Sequence, residues 1–191
     1  MTEGTEQART RITDPRVMRA LAHPARIGII EHLSSTGDPV TATQMASLVG
    51  LSPSATSYHL RELARYGLVE QAPSRGDGRE RVWRSTSSGW NLEGDDAEPD
   101  VRAAEQELVD VYLSRDFARI REWFARQHQE PPDWRDAGVL MGQYLLLTAE
   151  ELGQVTARVR EVLAPYERRG RTDPPAGARP VAVHYAAFPI E

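Results

Sequence analysis

Three kinds of residue in this chain of 191 residues could do chemistry by type and spacing: five histidines, a run of hydroxyl, phenol and guanidinium groups between Ser52 and Arg65, and a cluster of arginines from Arg75 to Arg84. The histidines, His23, His32, His59, His128 and His184, recur at no metal-binding interval. Cysteine is absent, so thiolate zinc sites, disulfides and cysteine nucleophiles are excluded. No glycine-rich phosphate loop, G-x-S-x-G elbow or H-E-x-x-H helix occurs. The expectation is no catalysis, no metal and no cofactor.

The second group has a pattern. Ser54, Ser57, Tyr58 and Arg61 fall at i, i+3, i+4 and i+7, one face of a helix, and His59 borders the opposite, buried side. Short hydrogen-bonding side chains let a helix backbone approach a groove closely, and a guanidinium pairs with phosphate or with the guanine edge. An ordinary solvated helix face has a similar composition, so the decision rests on what adjoins it. Arg79 and Arg81 alternate with Glu80 and Val82, which turns both arginines to one side of a strand. We therefore expect Ser54, Ser57, Tyr58, His59 and Arg61 to read or position double-stranded DNA, and Arg75, Arg79 and Arg81 to grip its phosphates with little sequence choice.

Positioning these groups takes a specific set of elements. Asp14-Pro15 reads as an N-cap with proline at the first helical position, and Pro24 opens a second helix with Ile27, Ile30 and Leu33 on one face. Thr41 and Gln44 fit a capping box, and Gly50 closes the helix that follows. Ser52-Pro53 opens the next, which buries Leu60, Leu63 and Ala64 and ends at Gly67. Two helices joined by so short a Gly-containing turn make a helix-turn-helix. Residues 68–71 and 79–84 then alternate as strands around a Pro/Gly-rich tip, forming a wing.

From Asp14 to Thr86 the sequence resembles the winged helix-turn-helix of ArsR-type bacterial transcriptional regulators. The resemblance is carried by HPARIGIIEHL, by TATQMASLVGLSPSATSYHLRELARYGLVE and by the arginine hairpin. It implies a dimeric DNA-binding protein, more often a repressor, and raises the question of metal sensing. The cysteines of that family's thiolate site have no counterpart at Thr41 to Met45, and of the Asp/His site on its long C-terminal helices only His128 remains.

The formal charge of -5 is unevenly shared: residues 1–90 carry +2 and residues 91–191 carry -7. All 23 cations are arginine, which GC-rich codon usage explains better than function does, so the count by itself is not evidence of function. Charge location matters more, since the basic half is the half with the recognition pattern. An apolar content of 40% is too high for wholesale disorder, and no run approaches the ~20 apolar residues of a membrane span. MTEGTEQART has no hydrophobic signal core, and with cysteine absent the expectation is a cytoplasmic protein without a membrane partner.

The organisation expected is a disordered tail over 1–12, a winged helix-turn-helix domain over 13–90, an acidic linker over 91–99 and a dimerisation and effector region over 100–191. A long helix from about Asp100 to Gln127 carries an apolar stripe that shifts phase near Ser114, so it serves two partners, its own winged domain and a second copy. Val139 to Leu147 and Val181 to Ala186 read as strands flanking a helix capped by Thr148 and Glu151, a small α+β region. Trp123, Trp134, Tyr144 and Tyr185 could line a pocket for a small-molecule effector, though aromatics at such spacing more often form core. The fold class is thus mainly α with small β. The function expected is a homodimeric, sequence-specific transcriptional regulator on a palindromic operator. The alternative is a winged-helix protein-interaction module without specific DNA recognition.

Overall fold

Helix starts are written in this sequence as a hydrogen-bonding side chain followed by proline or by a capping box. The computed structural model, which describes residues 10–73, 80–92 and 98–190, places these starts on the expected residues. Asp14 accepts from the Arg16 amide at 2.8 Å to open α1 (Pro15–Leu21). His23 accepts from the Ala25 amide at 3.1 Å to open α2 (Pro24–Thr36). Ahead of α3 (Ala42–Val49) the Thr41 amide donates to Gln44 Oε1 at 2.8 Å and the Gln44 amide donates to Thr41 Oγ1 at 3.2 Å. Gly50, at φ 70°, turns the chain in a left-handed conformation that glycine adopts without steric cost. Ser52 then caps α4 (Pro53–Arg65), accepting from the Ala55 amide at 3.2 Å.

These helices pack because their apolar stripes meet. Ile27 and Leu33 of α2, Met45 of α3 and Leu60 and Leu63 of α4 are all fully buried in one cluster, joined by Val69 and Trp83. Strand β2 (Val40–Thr41) precedes α3, and β3 (Val69–Ala72) and β4 (Val82–Ser85) follow α4 in an antiparallel sheet of order β2-β4-β3. Val69 pairs with Ser85 and Ala72 with Val82, so the β3–β4 hairpin is the wing. Ser34 and Ser85 share a buried hydrogen bond at 2.9 Å that ties α2 to β4. The wing tip, with Arg75 and Arg79, lies outside the described residues.

Two features of the N-terminal unit depart from the sequence reading. Residues 10–12 are not part of a frayed tail: Thr10–Ile12 forms β1, which pairs in parallel with β5 (Trp90–Leu92) and buries Ile12. A strand of three residues shows no period, and its partner is far away in sequence, which is why pattern reading overlooks it. The compact unit also continues beyond the acidic stretch to Arg115, taking in the first half of α5 (Pro99–Arg126). Val101, Ala104 and Leu108 are buried in the same core as Leu60, Arg115 pairs with Glu31 at 2.6 Å and Arg19 pairs with Asp100. Glycine, proline and acid are what suggest a linker at 91–99 in the sequence, but packing, not composition, sets the limit of a domain.

The second unit, residues 116–191, contains the rest of α5, α6 (Pro132–Ala137) and α7 (Ala149–Leu163). Thr148 and Glu151 form the expected capping box, with contacts of 2.7 and 3.1 Å. The α+β expectation for this unit is corrected: neither 139–147 nor 181–186 is a strand, and among the described residues every strand lies at or before Leu92. Both segments have strand-like composition, but a strand exists only as part of a ladder, and the described chain offers them no partner. The chain is thus mainly helical, with a small sheet, a winged helix-turn-helix and a long helix.

Leu60 sits at the centre of the α2–α3–α4 packing. Leu60→Ala should cost about 2–5 kcal/mol by leaving a cavity there, measured by denaturant unfolding of the full chain. An unchanged midpoint would show that this face of α4 does not hold the domain together.

Candidate nucleic-acid interface

Helical periodicity divides α4 into two faces. Thr56, Leu60 and Leu63 are fully buried, whereas Ser54, Tyr58 and Arg61 are exposed and Ser57 is half-buried. Ser57 and Arg61 share a groove of about 260 Å³ with Thr41, Ala42 and Thr43 at the start of α3, and with Glu80, Arg81 and Trp83 at the wing. The fold thus brings together two guanidiniums and three hydroxyls that are remote in sequence, beside one carboxylate. A concave strip with that donor set suits phosphate oxygens and base edges. Arg81 is exposed, while Arg84 is held across the sheet by Glu70, its Nε donating to Glu70 Oε1 at 2.7 Å.

His59 departs from the rest of the predicted set. It is only 8% exposed, so it is not a groove-contacting group. Its position in the series 56, 59, 60, 63 places it on the stripe that faces the other helices. There its ring lies 4.6 Å from that of His23, and its Nδ1 accepts from Arg26 Nε at 3.4 Å. Arg26 is also anchored to the Ala20 carbonyl at 2.7 Å and carries its guanidinium 5.9 Å from the centre of the Tyr58 ring. Arg26, His23 and Thr43 were missed from sequence. Arg26 has a faint signal there, as a cation in the first turn of α2 off its apolar face; nothing local marks His23 or Thr43.

Burial lowers the pKa of His59, and the neighbouring His23 and Arg26 lower it further. His23 is likewise lowered, first by burial and then by Arg26. Both Nδ1 atoms act as acceptors, His23 toward the Ala25 amide and His59 toward Arg26, and an imidazolium offers no lone pair for either bond. The pair is therefore built to be neutral.

The four aromatics considered for an effector do not share a site: three are separately engaged and the fourth is exposed. Trp123 lies against Arg126 and Gly138, Trp134 stacks under Arg179 at 4.6 Å and Tyr185 meets Thr156 at 3.5 Å, whereas Tyr144 is 91% exposed. An apolar cleft of about 430 Å³ in the N-terminal unit is lined instead by Trp90, Leu108, Tyr112 and Leu113, with Glu31 at its edge. Among the described residues no three His, Asp or Glu side chains gather as a metal site would require. No helix among them is long and apolar enough to cross a membrane.

Residues 21–72 match a family described as a helix-turn-helix domain, a span from the end of α1 to the end of β3. No curated protein sequence matches the chain. Among solved structures, the chain is similar to the zinc-responsive MarR family member ZitR of Lactococcus lactis, at 11% identity over 87% of this chain and 83% of that one, with a TM-score of 0.31. The adhesin competence repressor of Streptococcus pyogenes matches at 14% identity over 75% and 79%, with a TM-score of 0.32. The YusO protein of Bacillus subtilis matches at 14% identity over 78% and 83%, with a TM-score of 0.33.

The histidine pair sets a direction for pH dependence. A depressed folded pKa means that the unfolded chain binds protons first as pH falls through the ordinary histidine value of 6.5. The stability contributed by the neutral pair is complete above that value and is lost as pH falls toward the lowered folded values. His59→Gln should reduce the fall in melting temperature between about pH 7.5 and pH 5.5 relative to the unsubstituted chain. Superimposable pH profiles would contradict it.

Proposed function

We propose that the chain is a sequence-specific DNA-binding transcriptional regulator, ArsR-like in its winged domain, that acts in the cytoplasm as a homodimeric repressor on a palindromic operator. The observation that carries this reading is the exposed face of α4, with Ser54, Ser57, Tyr58 and Arg61 beside Arg81 in a helix-turn-helix domain. A major groove ~12 Å wide admits one helix, and the residues near the N-terminus of the second helix meet base edges. Ser54, Ser57 and Tyr58 occupy that position on α4 and Arg61 follows one turn later. In this reading Arg26 orients Tyr58 rather than contacting bases itself. Arg81, with Arg75 and Arg79 of the wing tip, supplies phosphate contacts.

Two copies suit the task, because recognition helices ~34 Å apart read successive turns of a palindrome. Leu113 and Phe117 support the pairing of copies, as large apolar side chains of α5 that are exposed in the single chain. A small-molecule effector would act by binding two arrangements of the dimer unequally, and the apolar cleft beside Trp90 suits such a ligand better than the four dispersed aromatics do. Nothing in this reading calls for catalysis, a metal or a cofactor.

The test is binding of the full chain to its own upstream DNA and to random duplex at physiological salt, followed by fluorescence anisotropy. A regulator should prefer its site by at least about 10³-fold, whereas an interaction module that has kept only the winged fold shows no preference. Arg61→Ala should weaken specific binding by about 1–3 kcal/mol while leaving the melt unchanged, and Arg81→Ala should flatten the salt slope by about one unit. Unaltered binding in both variants would remove this face from the DNA contact.

A further inference from the structure

The second unit, residues 116–191, lacks what a unit of its size needs. Among its described residues no apolar side chain is buried; the one buried residue is Asp116, which faces His184 at 2.8 Å. The apolar stripe of α7, including Leu152, Val155 and Val159, is only half-buried. Residues 135–151 and 172–190 are exposed throughout, among them Leu146 at 100%. A few dozen ordered residues without a core cannot offset their conformational entropy.

What is exposed has the composition of buried strands. Residues 139–147 contain Val139, Leu140 and Tyr144 among other apolar groups, with Gln143 as the sole strongly polar side chain and no charge. Val181 and Val183 lie in a second stretch, bounded by Pro180 and Pro189, that has no Asp, Glu or Arg and whose His184 faces Asp116. Among the described residues no backbone hydrogen bond involves 139–147 or 181–190. Free sheet edges are ordinarily protected by charge, proline or a bulge within the strand, and neither stretch carries an arginine or a carboxylate to do so.

We propose that these two stretches are strands of a β-sheet completed by the same stretches of a second copy of this chain, so that the core of the C-terminal unit is shared between two copies. The area supports one stable partner. The exposed large apolar residues of the two stretches, at roughly 100 Å² apiece, sum to on the order of 1,000 Å² per copy, above the ~800 Å² per partner of a stable interface and beyond the ~300–600 Å² patch of an ordinary monomer. The occupant follows from supply. A unit that has no core alone needs its partner whenever the chain is present, in equal amount, and an identical chain meets that condition. Pairing each stretch with its own counterpart is an isologous contact, which closes at two copies under two-fold symmetry. This deepens the dimer of the proposed function but does not depend on DNA recognition.

The test uses the full chain, with mass from light scattering and amide hydrogen exchange read by mass spectrometry. Leu146→Asp and Val183→Asp place a carboxylate on side chains exposed in the single chain, so neither disturbs packing within one copy, and the melt of the N-terminal unit checks this. The expected result is a two-copy mass at micromolar concentration, slow exchange over 139–147 and 181–186, and a dimer dissociation constant raised at least about a hundredfold by either variant. A single-copy mass with fast exchange in both stretches overturns the proposal. So does a two-copy mass that both variants leave unchanged, and so does a series of larger assemblies. A two-copy chain with protected stretches and no operator preference supports the shared sheet while removing the proposed function.

Discussion

The contact between the inner face of α4 and the helices α2 and α3 is the constraint on which the rest depends. With Thr56, Leu60 and Leu63 fixed inward, the 3.6-residue period leaves Ser54, Tyr58 and Arg61 no position but outward. The same packing sets the height of Ser57 against Thr43 and fixes where the wing returns, so Arg81 reaches the groove that Arg61 lines. Hydrophobic burial here does more than stabilise. It converts a sequence interval into a surface of fixed chemistry.

That surface is braced from behind by polar contacts that the hydrophobic pattern does not require. Arg26 is anchored to the Ala20 carbonyl, bonds His59 and lies over Tyr58, so one guanidinium spans the turn between α1 and α2 and two adjacent residues of α4. An apolar residue at position 59 could fill the same volume, but it could not hold Arg26 in register over the Tyr58 ring. A buried polar group without its partner is costly, so an arrangement like this specifies one geometry more sharply than packing alone. The requirement that both histidines stay neutral is the consequence.

Much of this was legible in the sequence because the signals are local. Asp14-Pro15, the Thr41 and Gln44 box, Gly50, Ser52-Pro53 and the Thr148 and Glu151 box each act within about one helical turn, and each stands where it was read. Ser54, Tyr58 and Arg61 were readable for the same reason, since one period decides their side. What escaped was non-local. The β1–β5 pair joins residues far apart in sequence, Arg26 meets His59 only once α2 and α4 have packed, and the domain limit at Arg115 is a property of packing along α5. His59 was misassigned because it lies at the boundary of two faces, where a small rotation of the helix decides burial.

The failed strand assignment at 139–147 and 181–186 is a different kind of miss. Periodicity reports the environment that a segment is suited to, and both segments are suited to a covered sheet. The single chain does not supply that environment, since Tyr144 and Leu146 face solvent and no ladder forms. A wrong period would put charged or polar residues on the face meant for the core; here apolar residues occupy most positions, and among the described residues their backbone has no ladder. The pattern and the coordinates conflict only if the unit is required to be complete within one copy. If the unit is shared, the apolar composition, the missing core and the unpaired backbone have one cause. The same arrangement would also give the dimer a connection that does not rely on α5 alone.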